Sequence, residues 1–161
     1  MEFKDLNATQ KGARQGDAQA QFLLGEVYAQ GNEVLQNDLM AIHWYRLASS
    51  QGHADAMYKL GQLYEQGRGT GADLKQALQL YLQAAERGCG AAAYLIALRF
   101  DQGNGLEQDE TRAAHWYQKA AENDHADAAY TLALMYDMGR GIPQDYKQAL
   151  RWYRRAAEQD H

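Results

Sequence analysis

The sequence predicts an all-α fold, an α-solenoid of antiparallel helix pairs, and three observations carry that expectation. One pattern returns every 36 residues with no insertion or deletion. Asn37, Asp73, Asp109 and Asp145 keep the step, as do Trp44, Leu80, Trp116 and Trp152, then Tyr45, Tyr81, Tyr117 and Tyr153, and Ala48, Ala84, Ala120 and Ala156. Each period holds two amphipathic helical patterns, and a constant period of this length with two helices per unit marks a helical solenoid. Finally, a single proline suits a nearly all-helical chain, while the 15 glycines sit at repeated positions and mark turns.

Composition narrows function by exclusion. A chain of 161 residues is enough for one domain, 1–161. Net charge −5 and a pI near 5.5 argue against nucleic acid as a partner, for which a basic face is expected. Cys89 is the one cysteine, so no intramolecular disulfide framework can form. The opening residues MEFKDLNATQKGARQG are polar and mixed in charge, with no signal-peptide core, and no run approaches the ~18 apolar residues of a membrane span. As it stands the chain reads as soluble and cytoplasmic, with no membrane partner; a leader ahead of it would make it periplasmic or secreted.

Residues 1–16 fit half a repeat. Leu6 falls where Ile42, Leu78 and Leu150 fall, and Gly16 where Gly52 and Gly88 fall, but Ala8 and Thr9 replace the aromatic pair. A terminal unit lacks one neighbour, so small and polar replacements there read as a cap. Four repeats follow: 17–52, 53–88, 89–124 and 125–160.

The first helix of each repeat carries Ala20, Leu24, Gly25 and Tyr28, then Ala56, Leu60, Gly61 and Tyr64, then Ala92, Ile96, Ala97 and Phe100, then Ala128, Leu132, Ala133 and Tyr136. At ~100° per residue these share one broad face. Glycine in a helix interior costs ~1 kcal/mol relative to alanine, so Gly25 and Gly61 suggest a close approach between helices. Gly31, Gly67, Gly103 and Gly139 end the first helix in left-handed conformation. Asn37, Asp73, Asp109 and Asp145 are N-caps of the second helix, and Gln76 and Gln148, three residues on, complete a capping box in two repeats. The second helix closes at Gly52, Gly88, Asp124 or Asp160; aspartate tolerates the left-handed conformation less well, so the last two ends are expected to fray. On this helix Ala41, Trp44, Tyr45 and Ala48 form a small-residue groove flanked by rings, each ring removing on the order of 150–250 Å² from water. The Trp-Tyr pairs therefore read as core; a base- or sugar-stacking platform is the other reading.

The composite of A-x-Y-x-LG-x-LY-x-x-G-x-G, an acidic cap, and A-x-x-WY-x-x-AAE resembles the Sel-1-like repeat, a relative of the tetratricopeptide repeat best known from bacterial proteins and an endoplasmic-reticulum degradation factor. The local copies HWYQKAAEN (His115–Asn123) and RWYRRAAEQ (Arg151–Gln159) are the fullest, and the likeness covers about nine-tenths of the chain. Departures are few: Glu33 replaces a loop glycine, Leu80 a Trp, and Arg99 stands where Val27, Leu63 and Met135 stand. The cysteine-rich branch carries a disulfide in each repeat, which Cys89 alone cannot make. The resemblance implies right-handed stacking of the helix pairs and a role as adaptor or scaffold.

Chemistry is sparse. His53 and His125, like His43 and His115, recur two repeats apart, on the order of 20 Å at helix spacings of ~8–10 Å, too far to share a metal whose ligands lie within ~2.1 Å. Cys89 lies between His53 and His125 in the repeat frame, but a base must stand within ~3.2 Å of a thiolate nucleophile, and the residue reads as turn filler. The Gly-rich loops lack the lysine and the strand-to-helix setting of a phosphate cradle. Glu86, Glu122 and Glu158 share one repeat position and form a row. Lys147, Arg151, Arg154 and Arg155 cover the outer face of the last helix as a solubilising surface, with an acidic partner as the second reading. No cofactor, metal or catalytic residue is expected.

Binding is expected on the one variable arc of the first helices: Gln19, Leu23, Glu26 and Gln30; Asp55, Lys59, Gln62 and Gln66; Ala91, Leu95, Leu98 and Gln102; Asp127, Thr131, Leu134 and Met138. If first helices line a concave side, as in the tetratricopeptide relatives, this arc floors a groove. Its N-terminal part is polar, and the part around Leu95, Leu98, Leu134 and Met138 is apolar, which marks a binding surface or, equally, packing between repeats three and four. The candidate residues are Glu26, Lys59, Gln62, Leu95, Leu98, Arg99, Gln102, Thr131, Leu134 and Met138. For Arg99 the expectation is a packed stem with the guanidinium reaching solvent, a carboxylate or a ligand anion. The resulting reading is a protein-interaction adaptor, not an enzyme, holding a peptide or protein segment; a module binding cell-wall sugars or peptides, or a hydrolase of cell-wall material, is the alternative. At the C-terminal end Trp152, Tyr153, Ala156 and Ala157 keep the full internal pattern, so a ring edge should stay uncovered. That predicts either continuation of the protein beyond His161 or pairing of the last helix with a second copy, a homodimer through Trp152 and Tyr153.

Overall fold

A computed structural model describes residues 6–31 and 33–159. Among the described residues there are nine helices and no strand: α1 (Leu6–Arg14), α2 (Ala18–Gln30), α3 (Asp38–Ser50), α4 (Ala54–Gln66), α5 (Leu74–Glu86), α6 (Gly90–Gln102), α7 (Glu110–Glu122), α8 (Ala126–Met138) and α9 (Tyr146–Gln159). They form two compact units, Met1–Gln83 and Ala84–His161. The first holds α1 to α4 and most of α5; the second holds the end of α5 and α6 to α9. Within each, the expected hairpins form, α2 on α3, α6 on α7 and α8 on α9.

The repeated tyrosine of the second helix is buried at the centre in the first three repeats. Tyr45, Tyr81 and Tyr117 are buried to 1% exposure or less. A Cβ on Gly25 would lie 2.5 Å from the Tyr45 ring, and one on Gly61 would lie 2.6 Å from Tyr81. The close approach expected of those glycines is therefore a ring laid flat on the facing helix. Trp44 and Trp116 are less covered and pack at the margin, each meeting its neighbouring histidine edge-on, at 5.0 Å for His43 and 5.5 Å for His115.

Loop geometry follows from the punctuation. Gly31, Gly67, Gly103 and Gly139 have φ of 73°, 65°, 70° and 68°, the left-handed region where a Cβ costs energy. The N-cap side chains of Asn37, Asp73, Asp109 and Asp145 each accept an amide hydrogen three residues on. The expected capping boxes do not close. The N-cap N–H that a glutamine would have to satisfy donates instead to the first helix, from Asp73 to Tyr64 O and from Asp145 to Tyr136 O, both at 2.9 Å. Asn37 to Tyr28 and Asp109 to Phe100 repeat the bond, which ties every loop shut. The Gln76 amide turns to the Asp73 carboxylate, 3.0 Å away. Asp124 does adopt φ 60°, but its carboxylate accepts from Arg155 at 3.0 Å and Gln159 at 3.2 Å, which holds the end expected to fray. Asp160 lies outside the described residues.

The first helices have caps of their own at a place that reads in sequence as turn filler. Asp17 accepts from Ala20 N–H, and the ring Nδ1 atoms of His53 and His125 accept from Ala56 and Ala128 N–H at 3.2 and 3.4 Å. Cys89, the equivalent residue, is buried and makes no side-chain cap bond.

Arg99 is a correction. It is 9% exposed, and its guanidinium turns to the loop carbonyl of Asn104 at 3.4 Å, while Asn104 N–H donates back to the Arg99 carbonyl at 3.1 Å. The reason is local: repeats two and four put an arginine in the loop, at Arg68 and Arg140, where repeat three has Asn104, so the cation comes from the helix and braces its own loop. In this position Arg99 braces its own loop. Arg99→Met should lower stability by about 1 kcal/mol, since the loop carbonyl loses a charged donor; an unchanged urea midpoint would show the brace to be idle.

Candidate functional site

In the first unit the variable arc forms a polar site between α2 and α4. Lys59 reaches Glu26 at 3.4 Å, and the Tyr45 hydroxyl donates to the same carboxylate. Burial, then that hydrogen bond, pushes the Tyr45 hydroxyl far above the usual tyrosine range, so it stays a donor at any physiological pH. Gln62 stands beside them, and Arg68 from the loop after α4 closes one side, bonded to Asp38 at 2.5 Å and to the Ala29 carbonyl at 3.1 Å. The expected residues Glu26, Lys59 and Gln62 are thus brought together; Tyr45 and Arg68 are the members that sequence reading assigned to core and loop.

In the second unit Leu98, Thr131, Leu134 and Met138 line one pocket of about 330 Å³ between α6 and α8. Met138 is 68% exposed at its mouth, and Leu98 and Leu134 are half-buried along its floor. Asp101, Tyr117 and Arg140 supply the polar part of the lining. Arg140 donates to both Asp101 carboxylate oxygens at 3.1 Å, and the Tyr117 hydroxyl lies 3.4 Å from one of them. Burial and the Asp101 charge push the Tyr117 hydroxyl well up, so the network holds its protons in place. Leu95 is half-buried and Gln102 exposed, and neither lines this pocket. Arg99 faces the loop. The signal for Arg140 and Asp101 was in the chain: Arg68 and Arg140 share a repeat position, and Glu65, Asp101 and Asp137 share another, but only contact between successive helix pairs gives those rows a purpose.

The last helix bears out only part of what its residues led one to expect. Trp152 is 4% exposed, with the Arg151 and Arg155 guanidinium carbons each 5.6 Å from its ring centre. The two guanidinium groups lie over the ring that was expected to stay uncovered. Tyr153 stays half-buried and Ala157 exposed.

Among the described residues, no group of three His, Cys, Asp or Glu is placed to hold a metal ion, and no helix is long and apolar enough to cross a membrane.

The four-fold match to the Sel1 repeat model, over residues 18–53, 54–89, 90–125 and 126–161, decides the family. The chain belongs to the Sel1 repeat family. It is similar to a Sel1 repeat protein of Oxalobacter formigenes, 36% identical with a TM-score of 0.92, covering 97% of this chain and 45% of that one. It is also similar to a protective antigen of uropathogenic Escherichia coli with an SLR fold, 34% identical with a TM-score of 0.84, covering 98% of this chain and 34% of that one. The chain therefore spans less than half the length of either. Cysteine-rich protein B of Helicobacter pylori, 21% identical with a TM-score of 0.59 over 77% of this chain and 90% of its own, shares the fold. No curated protein matches. Sel1 repeats generally mediate protein–protein interaction and are typically non-enzymatic scaffolds.

The His125 cap carries a pH dependence. Burial pushes its imidazole below the ordinary value of about 6.5, with the Asp127 carboxylate opposing. Its Nδ1 must be unprotonated to accept from Ala128, so the cap's contribution is full above about pH 6.5 and is lost as pH falls through the lowered folded value. His125→Asn caps without titrating: its stability relative to the unaltered chain should rise between pH 7.5 and 5.5 in urea unfolding, and a constant difference would refute the cap.

Proposed function

We propose that this Sel1 repeat chain is a non-enzymatic adaptor that binds a segment of a partner protein on its first-helix face. The apolar pocket between α6 and α8 receives a large aliphatic or aromatic side chain of that segment; the polar site between α2 and α4, in the other unit, is a separate place for hydrogen-bonding groups. The carrying observation is the pairing of an apolar floor, Leu98, Leu134 and Met138, with a wall of fixed polar groups, Asp101, Tyr117 and Arg140. Such a pocket rewards an apolar side chain while its wall can take backbone hydrogen bonds, which suits peptide recognition.

The titratable groups support binding over hydrolysis. Glu26 is engaged by Lys59 and Tyr45, and Asp101 by Arg140, so each carboxylate already has its partners within the fold. No observation favours the cell-wall readings.

Peptides selected from a random display library on the intact chain test this. One buried aliphatic side chain is worth about 1.5–3 kcal/mol, so Leu98→Glu combined with Leu134→Glu should weaken the selected peptides at least about tenfold. Both residues are half-buried, so far-UV circular dichroism and the urea midpoint should hold. Peptides that bind the double variant as well as the unaltered chain would place the site elsewhere.

A further inference from the structure

The polar site between α2 and α4 and the apolar pocket between α6 and α8 are copies of one socket, two repeats apart in the chain. Each is lined by residues of successive first helices, by the buried tyrosine of the second helix between them, Tyr45 or Tyr117, and by the loop arginine, Arg68 or Arg140. On that constant frame four positions change chemistry. Glu26, Lys59, Gln62 and Gln66 in the first unit stand where Leu98, Thr131, Leu134 and Met138 stand in the second. The volumes differ as well, about 130 Å³ against about 330 Å³. A cavity of ~150 Å³ admits a benzene ring, so the first socket takes a short side chain and excludes an aromatic one.

Charge in the first socket cancels. Lys59 is held by Glu26 at 3.4 Å, and Arg68 by both carboxylate oxygens of Asp38. An ionised ligand group meets one like charge for each opposite one, which leaves a neutral dipole as the better fit. The hydrogen-bonding groups left over are of both kinds. An ammonium has three N–H donors, and Lys59 commits at most two of them to the two Glu26 oxygens. Gln62 Nε2 donates to the Tyr58 hydroxyl at 3.0 Å, but the Gln62 carbonyl oxygen accepts nothing among the described residues, and the Gln66 amide is not engaged there at all. Lys59, Gln62 and Gln66 stand at i, i+3 and i+7 of α4, on one face of the helix, and all three line the socket. Donor and acceptor are therefore neighbours. The short neutral side chain that offers an acceptor and a donor on separate atoms is a primary carboxamide.

We propose that the α2–α4 socket binds the carboxamide side chain of an asparagine or glutamine, its C=O accepting from Lys59 and its NH2 donating to the Gln62 carbonyl. Lys59, Gln62 and Gln66 are the positions that set this specificity. That the amide belongs to a segment of a partner protein rests on the adaptor reading above; recognition of the amide itself does not.

The test is an NMR titration of the isotope-labelled intact chain. The probes are N-acetyl-asparagine N-methylamide and its glutamine homologue, in which the side chain carries the only primary amide. Both should shift the side-chain NH2 signals of Gln62 and Gln66 and leave the resonances of Leu98 and Leu134 in place. The aspartate and leucine analogues should need concentrations at least about fivefold higher, the worth of one neutral hydrogen bond. Gln62→Leu and Lys59→Thr, each the residue that the second unit carries at that position, should weaken the asparagine probe by the same factor. Gln62→Leu combined with Gln66→Met should reverse the preference toward the leucine analogue, with far-UV circular dichroism unchanged. No shift up to the solubility limit overturns the proposal, as does an equal response to the asparagine, aspartate and leucine analogues. A positive titration beside a display selection that yields no peptide would sink the adaptor reading alone. Selected peptides that lose affinity with Leu98→Glu and Leu134→Glu, beside a silent titration, would sink the carboxamide socket alone.

Discussion

The tyrosine ring laid against a glycine or alanine of the facing helix is the contact on which the rest of this protein depends. It brings two helices close enough for one buried ring to replace several aliphatic side chains, which is why so much of the interior is alanine. The same ring then carries a hydroxyl to the edge of the hairpin, where Tyr45 meets Glu26, Tyr81 meets Glu65 at 2.8 Å and Tyr117 meets Asp101. Each of those acids stands on a first helix, Glu26 on its variable arc and Glu65 and Asp101 beside it. The core and the binding surface are therefore two ends of one side chain, and partner-facing groups inherit the rigidity of the core.

Successive helix pairs are joined by a second device, the loop arginine. Arg68 and Arg140 leave their own repeat and bond the one before, and they can do so because the adjacent glycines allow backbone to touch backbone. Where repeat three lacks that cation, Arg99 supplies one from within the helix and braces the loop locally. The alternation makes the repeats chemically unequal: it places Asp101 and Arg140 as polar groups beside the leucines.

Much of the architecture was legible because it is periodic. Helix bounds, left-handed glycines and the second-helix caps each depend on residues close together in the chain, and a residue recurring at one interval announces its role several times. The capping box was misread for a physical reason: the N–H it needs is claimed by a carbonyl nine residues back, in another helix, which no local motif reveals. The histidines were read as possible ligands and set aside, though their shared position with Asp17 pointed to a cap acceptor.

By itself the sequence determined the family, the 36-residue register and the arc on which side chains are free to vary, since each is a property of spacing along a helix. Tertiary structure alone decided which variable residues share a pocket. Leu98, Leu134 and Met138 converge while Leu95 and Gln102 do not, because a helix turns by ~100° per residue and only the offset of its neighbour selects the side chains that meet. It also decided that Trp152 is buried beneath the Arg151 and Arg155 guanidinium groups while Tyr153 stays half-buried, a choice between adjacent rings that depends on what lies across from them and not on the residues themselves.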